Sequence, residues 1–200
     1  MSIRKLLLTV ALTGLVGTGG ANAAIITNED FTGGATGWSN NATSFIAGDQ
    51  VLGGFNLFGA GVVTEKTFAL SGNQTSLDIS LDFWKGDSWD GESFIIEADG
   101  NLLYSQSYVY TQGSQVAGQT FSGWHELLVP ISLNYATTAT SMTLTLRSTL
   151  NQTPDDEWWA VDNVVITDNV SVPAPEPAIS LLMLSAFAFF AFFAAGRRRN

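Results

Sequence analysis

The sequence contains no cysteine, a single histidine and, once its two ends are set aside, almost no basic residues. Without cysteine there is no disulfide framework, no thiolate nucleophile and no thiolate zinc site, so a domain of this length must be held by its own core, with or without a metal. The lone His125 lies in an expected strand between Trp124 and Glu126, and no Gly-x-Ser-x-Gly elbow accompanies it. The nucleophile–base signature of an enzyme is therefore missing, and no catalytic residue is assigned. A glycosidase or lyase acting through paired carboxylates stays as a lesser alternative, because acids are abundant and the sequence does not show which of them meet. Of eight Lys and Arg, five are Arg4, Lys5 and Arg197–Arg199, which leaves Lys66, Lys85 and Arg147 against seventeen acids between residues 24 and 172, a net charge of −14. Phosphate binding needs a basic face, so nucleic acid is not an expected partner. The acidity leaves three readings: solubility, cation binding, or repulsion from other acidic polymers.

The two ends read as processing signals. Arg4 and Lys5 form a short basic region, Leu6–Val16 is apolar, and Ala21-Asn22-Ala23 is a small-residue cleavage site, so residues 1–23 are expected to be a signal peptide helix. At the other end a linker over 171–177 carries Pro175-Glu176-Pro177. An uncharged apolar run over 178–196 follows, then the basic end 197–200 with Arg197, Arg198 and Arg199. The run Ala178–Ala195 is about 18 residues, roughly 27 Å as a helix, long enough to cross a hydrocarbon core. The arginines behind it would hold that end on the cytoplasmic side. This order of parts resembles the PEP-CTERM sorting signal of Gram-negative bacteria. The resemblance implies recognition by an exosortase-type membrane protease. It also implies export through the inner membrane, transient anchoring by the C-terminal helix, and delivery to the cell surface or the extracellular biofilm matrix. An uncleaved single-pass anchor fits the same tail.

Residues 24–170 read as one all-β domain. Leu77, Ile79, Leu81 and Phe83 alternate with Asp78, Ser80 and Asp82, and Met142, Leu144 and Leu146 with Thr143, Thr145 and Arg147, the period of half-buried antiparallel strands. Phe94–Ala98, Asp99-Gly100 and Leu102–Tyr104 predict a hairpin, because a type I′ turn requires positive φ and Asp-Gly supplies it. Further strands are expected at Ile25–Thr27, Val62–Leu70, Trp124–Val129 and Val161–Thr167, with Gly53-Gly54, Ser71-Gly72-Asn73 and Thr153-Pro154-Asp155 as turns. About eight strands in a chain of this size predict an antiparallel two-sheet sandwich of jelly-roll type. The order Asn28-Glu29-Asp30-Phe31, Gly37-Trp38, Leu77–Trp84, Gly123-Trp124 and Ala160-Val161-Asp162-Asn163 resembles MAM, laminin-G-like and carbohydrate-binding jelly-roll sandwiches, although MAM domains carry cysteines and this chain does not.

Three groups of residues stand out as candidate sites. Asp87-Ser88-Trp89-Asp90-Gly91-Glu92 lies between two expected strands, where Asp87, Asp90 and Glu92 offer the oxygen ligands that calcium prefers. The alternative is a solvated acidic loop. In a jelly-roll the last strand lies beside the first, so Asp162 is expected to approach Glu29 or Asp30 and form a second cation site. The alternative there is that Asp162 and Asn163 bond to nearby backbone. Among the aromatics, Trp89 is the expected exposed platform for a sugar ring, with Tyr108 and Tyr110 along a polar wall, whereas Trp84 and one of Trp158 and Trp159 are expected in the core. A packing role competes for each of them. The leading expectation is an exported, calcium-stabilised β-sandwich that binds or organises extracellular polysaccharide and is not an enzyme. A purely structural envelope protein without a ligand is the alternative.

Overall fold

The computed structural model describes residues 23–114 and 125–170, and all regular structure in them is β-strand. Ten strands form: β1 (Ala23–Glu29), β2 (Thr43–Ile46), β3 (Asp49–Gly53), β4 (Val63–Ala69), β5 (Gln74–Asp87), β6 (Asp90–Ala98), β7 (Asn101–Val109), β8 (Leu127–Ala136), β9 (Ser141–Ser148) and β10 (Glu157–Val170). They make two antiparallel sheets. The six-stranded sheet runs β2-β3-β10-β5-β8, with β1 also paired to β10, and the four-stranded sheet runs β4-β9-β6-β7. The chain changes sheet after β3, β4, β5, β7, β8 and β9, the alternation that wraps a jelly-roll rather than stacking two meanders. The sorting motif Pro175-Glu176-Pro177, the apolar run, Arg197–Arg199, residues 1–22 of the expected signal segment and Trp124 lie outside the described residues, while Ala23 opens β1. Among the described residues no helix is long and apolar enough to cross a membrane.

Alternation decides which side chains fill the space between the sheets. On β5, Leu77, Ile79, Leu81 and Phe83 are buried, and on β9 so are Met142, Leu144 and Leu146, the two faces read from the sequence. Phe83 and Phe94 stack with ring centroids 4.0 Å apart. Trp89, Tyr108 and Trp159 complete an aromatic cluster around them. The hairpin between β6 and β7 closes through Asp99 (φ 50°) and Gly100 (φ 77°), as a type I′ turn demands. A second hairpin, β2–β3, turns at Ala47 and Gly48 with the same sign of φ. The sequence pattern missed it because alanine carries no turn signal. The strand expected at Trp124–Val129 begins instead at Leu127 and continues through Pro130 to Ala136. Proline is tolerated there because β8 pairs only with β5 and is an edge.

One irregularity in β10 sets the outer face of the larger sheet. Pairing with β5 shifts between Asp162 and Val165, and Asn163 adopts a positive φ of 52°. This β-bulge inserts one residue, so Val161 and Val164 both face the core and the following alternation is reset. Asparagine tolerates the left-handed conformation better than most side chains. The Asp162-Asn163 pair is thus explained in part by backbone geometry.

Candidate functional site

On the outward face β5 carries a polar row, Ser76, Asp78, Ser80 and Asp82, with polar neighbours from β8 and β10 beside parts of it. Asp78 lies opposite Asn134 of β8 and Thr167 of β10, and Ser76 opposite Ala136 and Asn169. Asn134 Nδ2 donates to Asp78 Oδ1 at 2.7 Å and to Ser76 Oγ at 3.2 Å. From the other side Asn169 Nδ2 donates to Asp78 Oδ2 at 2.9 Å and to Ser76 Oγ at 3.3 Å. Both carboxylate oxygens of Asp78 are therefore fixed by amides on neighbouring strands. These bonds from Asn169 and Asn134 hold its carboxyl below the usual range, so it stays ionised. Farther along β5, Asn163 Nδ2 donates to Asp82 Oδ2 at 2.9 Å. Beyond Asp82 on the same face comes half-buried Trp84, paired with exposed Leu128. From Ser76 to Trp84 the row covers roughly 26 Å of strand. The sequence marked Asp78, Ser80 and Asp82 as one face. It gave no hint of Asn134 and Asn169, whose partnership depends on strand order.

The expected aromatic platform is not where the sequence placed it. Trp89 is fully buried, packs edge-on to Phe83 and donates its Nε1–H to the Trp158 carbonyl at 3.1 Å. Only Ser88 and Trp89 join β5 to β6, and the Trp89 ring belongs to the main core. Tyr108 is also buried, its hydroxyl 2.6 Å from that of Tyr104, and burial pushes its phenol well up. Neither ring offers a face to a sugar. Tyr110 is 43% exposed and remains the surface member of the three. Trp158 and Trp159 are both buried but on opposite faces of the sheet. Trp159 sits in the main core, while Trp158 belongs to a small outer cluster with Ile46, Val51 and Ala160, against which Trp84 packs. Trp84 is therefore a flank of the outer face and not the core residue expected.

The acids regroup as well. Asp87 takes a positive φ of 64° and accepts the Trp158 Nε1–H on Oδ2 at 2.6 Å. Burial pushes its carboxyl up to about 6. It does not join Asp90 and Glu92. Glu157, the first residue of β10, takes that place: oxygens of Asp90, Glu92 and Glu157 lie within 4.8 Å of one another, the one such acidic group among the described residues. Glu157 is fully buried, and burial with the nearby charges of Glu92, Asp90 and Asp156 pushes it up to about 7. Lys85 is buried at the same end of the core, and its ammonium donates to the Asp87 carbonyl at 3.0 Å and the Val109 carbonyl at 3.5 Å. Burial lowers it to about 8, against the raising effect of Asp87, Glu126 and Glu157.

At the other expected cation site, β1 does pair with β10, and Glu29 lies opposite Val164. Yet Glu29 is engaged by Lys66 in an ion pair and by Trp38 Nε1 at 2.6 Å. The Lys66 ammonium, which also donates to the Thr36 carbonyl at 2.8 Å, supplies the positive charge that a metal was expected to bring. Asp30 is used locally, accepting from the backbone and hydroxyl of Thr32 at 3.1 and 2.8 Å. Asp162 Oδ1 accepts the Asn163 backbone N–H at 2.7 Å, and burial raises it to about 6, with Asp49, Asp82 and Asp30 adding repulsion. Glu29, Asp30 and Asp162 do not converge as one set of ligands.

No family model matches the chain, and no curated relative matches it. Solved structures similar to it include the C-terminal CBM6 of LamC, a marine laminarinase from Zobellia galactanivorans. That chain is 14% identical with a TM-score of 0.42, over 74% of this chain and 100% of the other. A carbohydrate-binding module from Cellvibrio mixtus lichenase 5A in complex with cellotriose is 13% identical with a TM-score of 0.42, over 74% and 100%. The K1 cleaved adhesin domain of Lys-gingipain from Porphyromonas gingivalis W83 is 11% identical with a TM-score of 0.44, over 74% and 99%.

Proposed function

We propose that this is an exported cell-surface or biofilm-matrix protein that binds exopolysaccharide across the outer face of its six-stranded sheet and catalyses no reaction. The observation that carries the binding reading is the row of amide-fixed carboxylates, Asp78 between Asn134 and Asn169, and Asp82 with Asn163, running toward Trp84. Ionised carboxylates accept hydrogen bonds from hydroxyl groups, amides donate and accept, and an aromatic flank covers the apolar face of a sugar ring. Because the side chains already hold one another on three adjacent strands, little ordering entropy remains to be lost on binding. The strand-long extent of the row suits a linear polymer.

The same mutual bonding favours a second reading, a structural envelope protein in which the row only ties strands together. Titration of the full chain, in mild detergent, with exopolysaccharide purified from the producing cells separates the two. Exchange of Asp78 for Ala is expected to weaken binding about tenfold or more, the loss of one or two charge-assisted hydrogen bonds, while Glu65→Ala on the opposite sheet leaves it unchanged. Absence of binding by the wild-type chain favours the structural protein. The export reading rests on the Pro175-Glu176-Pro177, apolar and Arg197–Arg199 order. It predicts a shortened C-terminus by mass spectrometry in cells with an active exosortase and an intact one without; an intact tail in both contradicts it.

A further inference from the structure

We propose that Asp90, Glu92 and Glu157 hold a hard divalent cation, calcium, that staples the two sheets together at one end of the sandwich. The three residues come from different sheets: Asp90 and Glu92 open β6 in the four-stranded sheet, and Glu157 opens β10 in the six-stranded one. Their oxygens converge within 4.8 Å. Two oxygens at calcium distance on opposite sides of one ion are about 4.6–5.2 Å apart, so this spread fits a shared ion.

A second observation singles this cluster out from an ordinary acidic surface. Glu157 is fully buried, and its Oε2 has no hydrogen-bond partner, while Oε1 accepts from Gln152 Nε2 at 3.2 Å. A buried carboxylate oxygen left unpaired is costly, and here it belongs to a group gathered with two further carboxylates. None of the three is in an ion pair; the described pairs are Lys66–Glu29 and Arg147–Glu97. Lys85, the basic residue at this end, directs its ammonium to the Asp87 and Val109 carbonyls and acts on Glu157 only as a nearby charge, not as an ion-pair or hydrogen-bond partner. The remaining polar contacts orient the acids without neutralising them. Glu92 accepts the Asp90 backbone N–H at 2.7 Å and Asn151 Nδ2 at 3.2 Å. Asp90 is exposed and provides the way in from solvent.

The donor set selects the class of ion. It is all carboxylate oxygen, with no imidazole or thiolate, which disfavours zinc and copper. Calcium accepts irregular geometry and six to eight oxygens, including water and backbone carbonyls, whereas magnesium demands a near-ideal octahedron. The inference is independent of polysaccharide binding, since the cluster involves none of the outer-face residues.

The test is thermal unfolding of the full chain in mild detergent with calcium, with magnesium and with chelator, no polysaccharide being present. Millimolar calcium is expected to raise the midpoint by several degrees over chelator, with magnesium much less effective. Glu157→Gln is expected to abolish the calcium response while raising the midpoint in chelator, because it removes a buried charge from a repulsive group. Asp90→Asn, at an exposed position that does not endanger folding, is expected to weaken calcium affinity at least tenfold. An absent calcium shift in the wild type, a shift retained in both variants, or an equal response to magnesium would each overturn the assignment.

Discussion

Asp162 shows how one side chain combines a structural duty with an electrostatic cost. Its Oδ1 fixes the backbone of the bulge at Asn163, yet it is 4% exposed and surrounded by Asp49, Asp82 and Asp30. Burial and those charges raise its carboxyl from 3.8 to about 6 in the folded protein. Between these values the unfolded chain releases a proton that the folded chain retains. Stability contributed by the protonated group is therefore complete below about pH 4 and is lost as pH rises through 6. Asp162→Asn keeps the acceptor and removes the charge. In chelator its unfolding free energy should equal that of the wild type near pH 4 and exceed it by ~1–3 kcal/mol at pH 7. Urea unfolding across this range checks the point, and a variant less stable at pH 7 would show that the ionised form is the one the fold favours. At this scale the sequence pointed to Asp87 beside Asp90 and Glu92, whereas the fold puts Glu157 there. Asp87 and Glu157 differ in role because of a local φ and a strand register, neither of which is written in residue type.

Among the elements, β5 and β10 organise the molecule. They pair along most of their lengths, and the outer end of that pairing is a close fit of ring against backbone. Trp158 lies opposite Gly86, where an added Cβ would fall 1.9 Å from the indole. Gly86 is therefore required by space. Gly86→Ala should expel Trp158 from its seat, break its bond to Asp87 and cost about 1–3 kcal/mol or more. The urea midpoint together with the tryptophan emission would show it, and an unchanged midpoint would contradict the packing described. The strongly alternating elements, β5 and β9, and the Asp-Gly hairpin were legible in the sequence because period and turn chemistry are local. The β2–β3 hairpin, with its Ala-Gly turn, and the extension of β8 past Pro130 were not. The hairpin turn starts on an alanine, which carries no turn signal, and β8 depends on its distant partner β5, where a proline is admissible only once the strand is known to be an edge.

For the whole molecule, the absence of cysteine and the excess of acid belong together. A cysteine-free sandwich relies on its core, here centred on Phe83, Phe94, Trp89 and Trp159, and the aromatics that seemed available for a ligand are largely spent on it. This is why the candidate binding surface moved from the β5–β6 loop to the flat face of the larger sheet, where polar residues that alternate with the core are collected by strand order. Three groups of acids stand out: Glu29 and Glu97 pair with the scarce bases, Asp90, Glu92 and Glu157 gather with no ion-pair partner, and Asp78 and Asp82 line the outer face. Only the last set is offered to a polymer.

Carboxyl footprinting of the full chain, with and without exopolysaccharide purified from the producing cells, reports whether this face is the binding surface. Reaction with a soluble carbodiimide and an amine would be read residue by residue in the mass spectrometer. The polymer is expected to protect Asp78 and Asp82 and to leave Glu65, on the outer side of the four-stranded sheet, as reactive as before. Bound polymer that protects Glu65 and leaves Asp78 and Asp82 fully labelled would contradict that expectation.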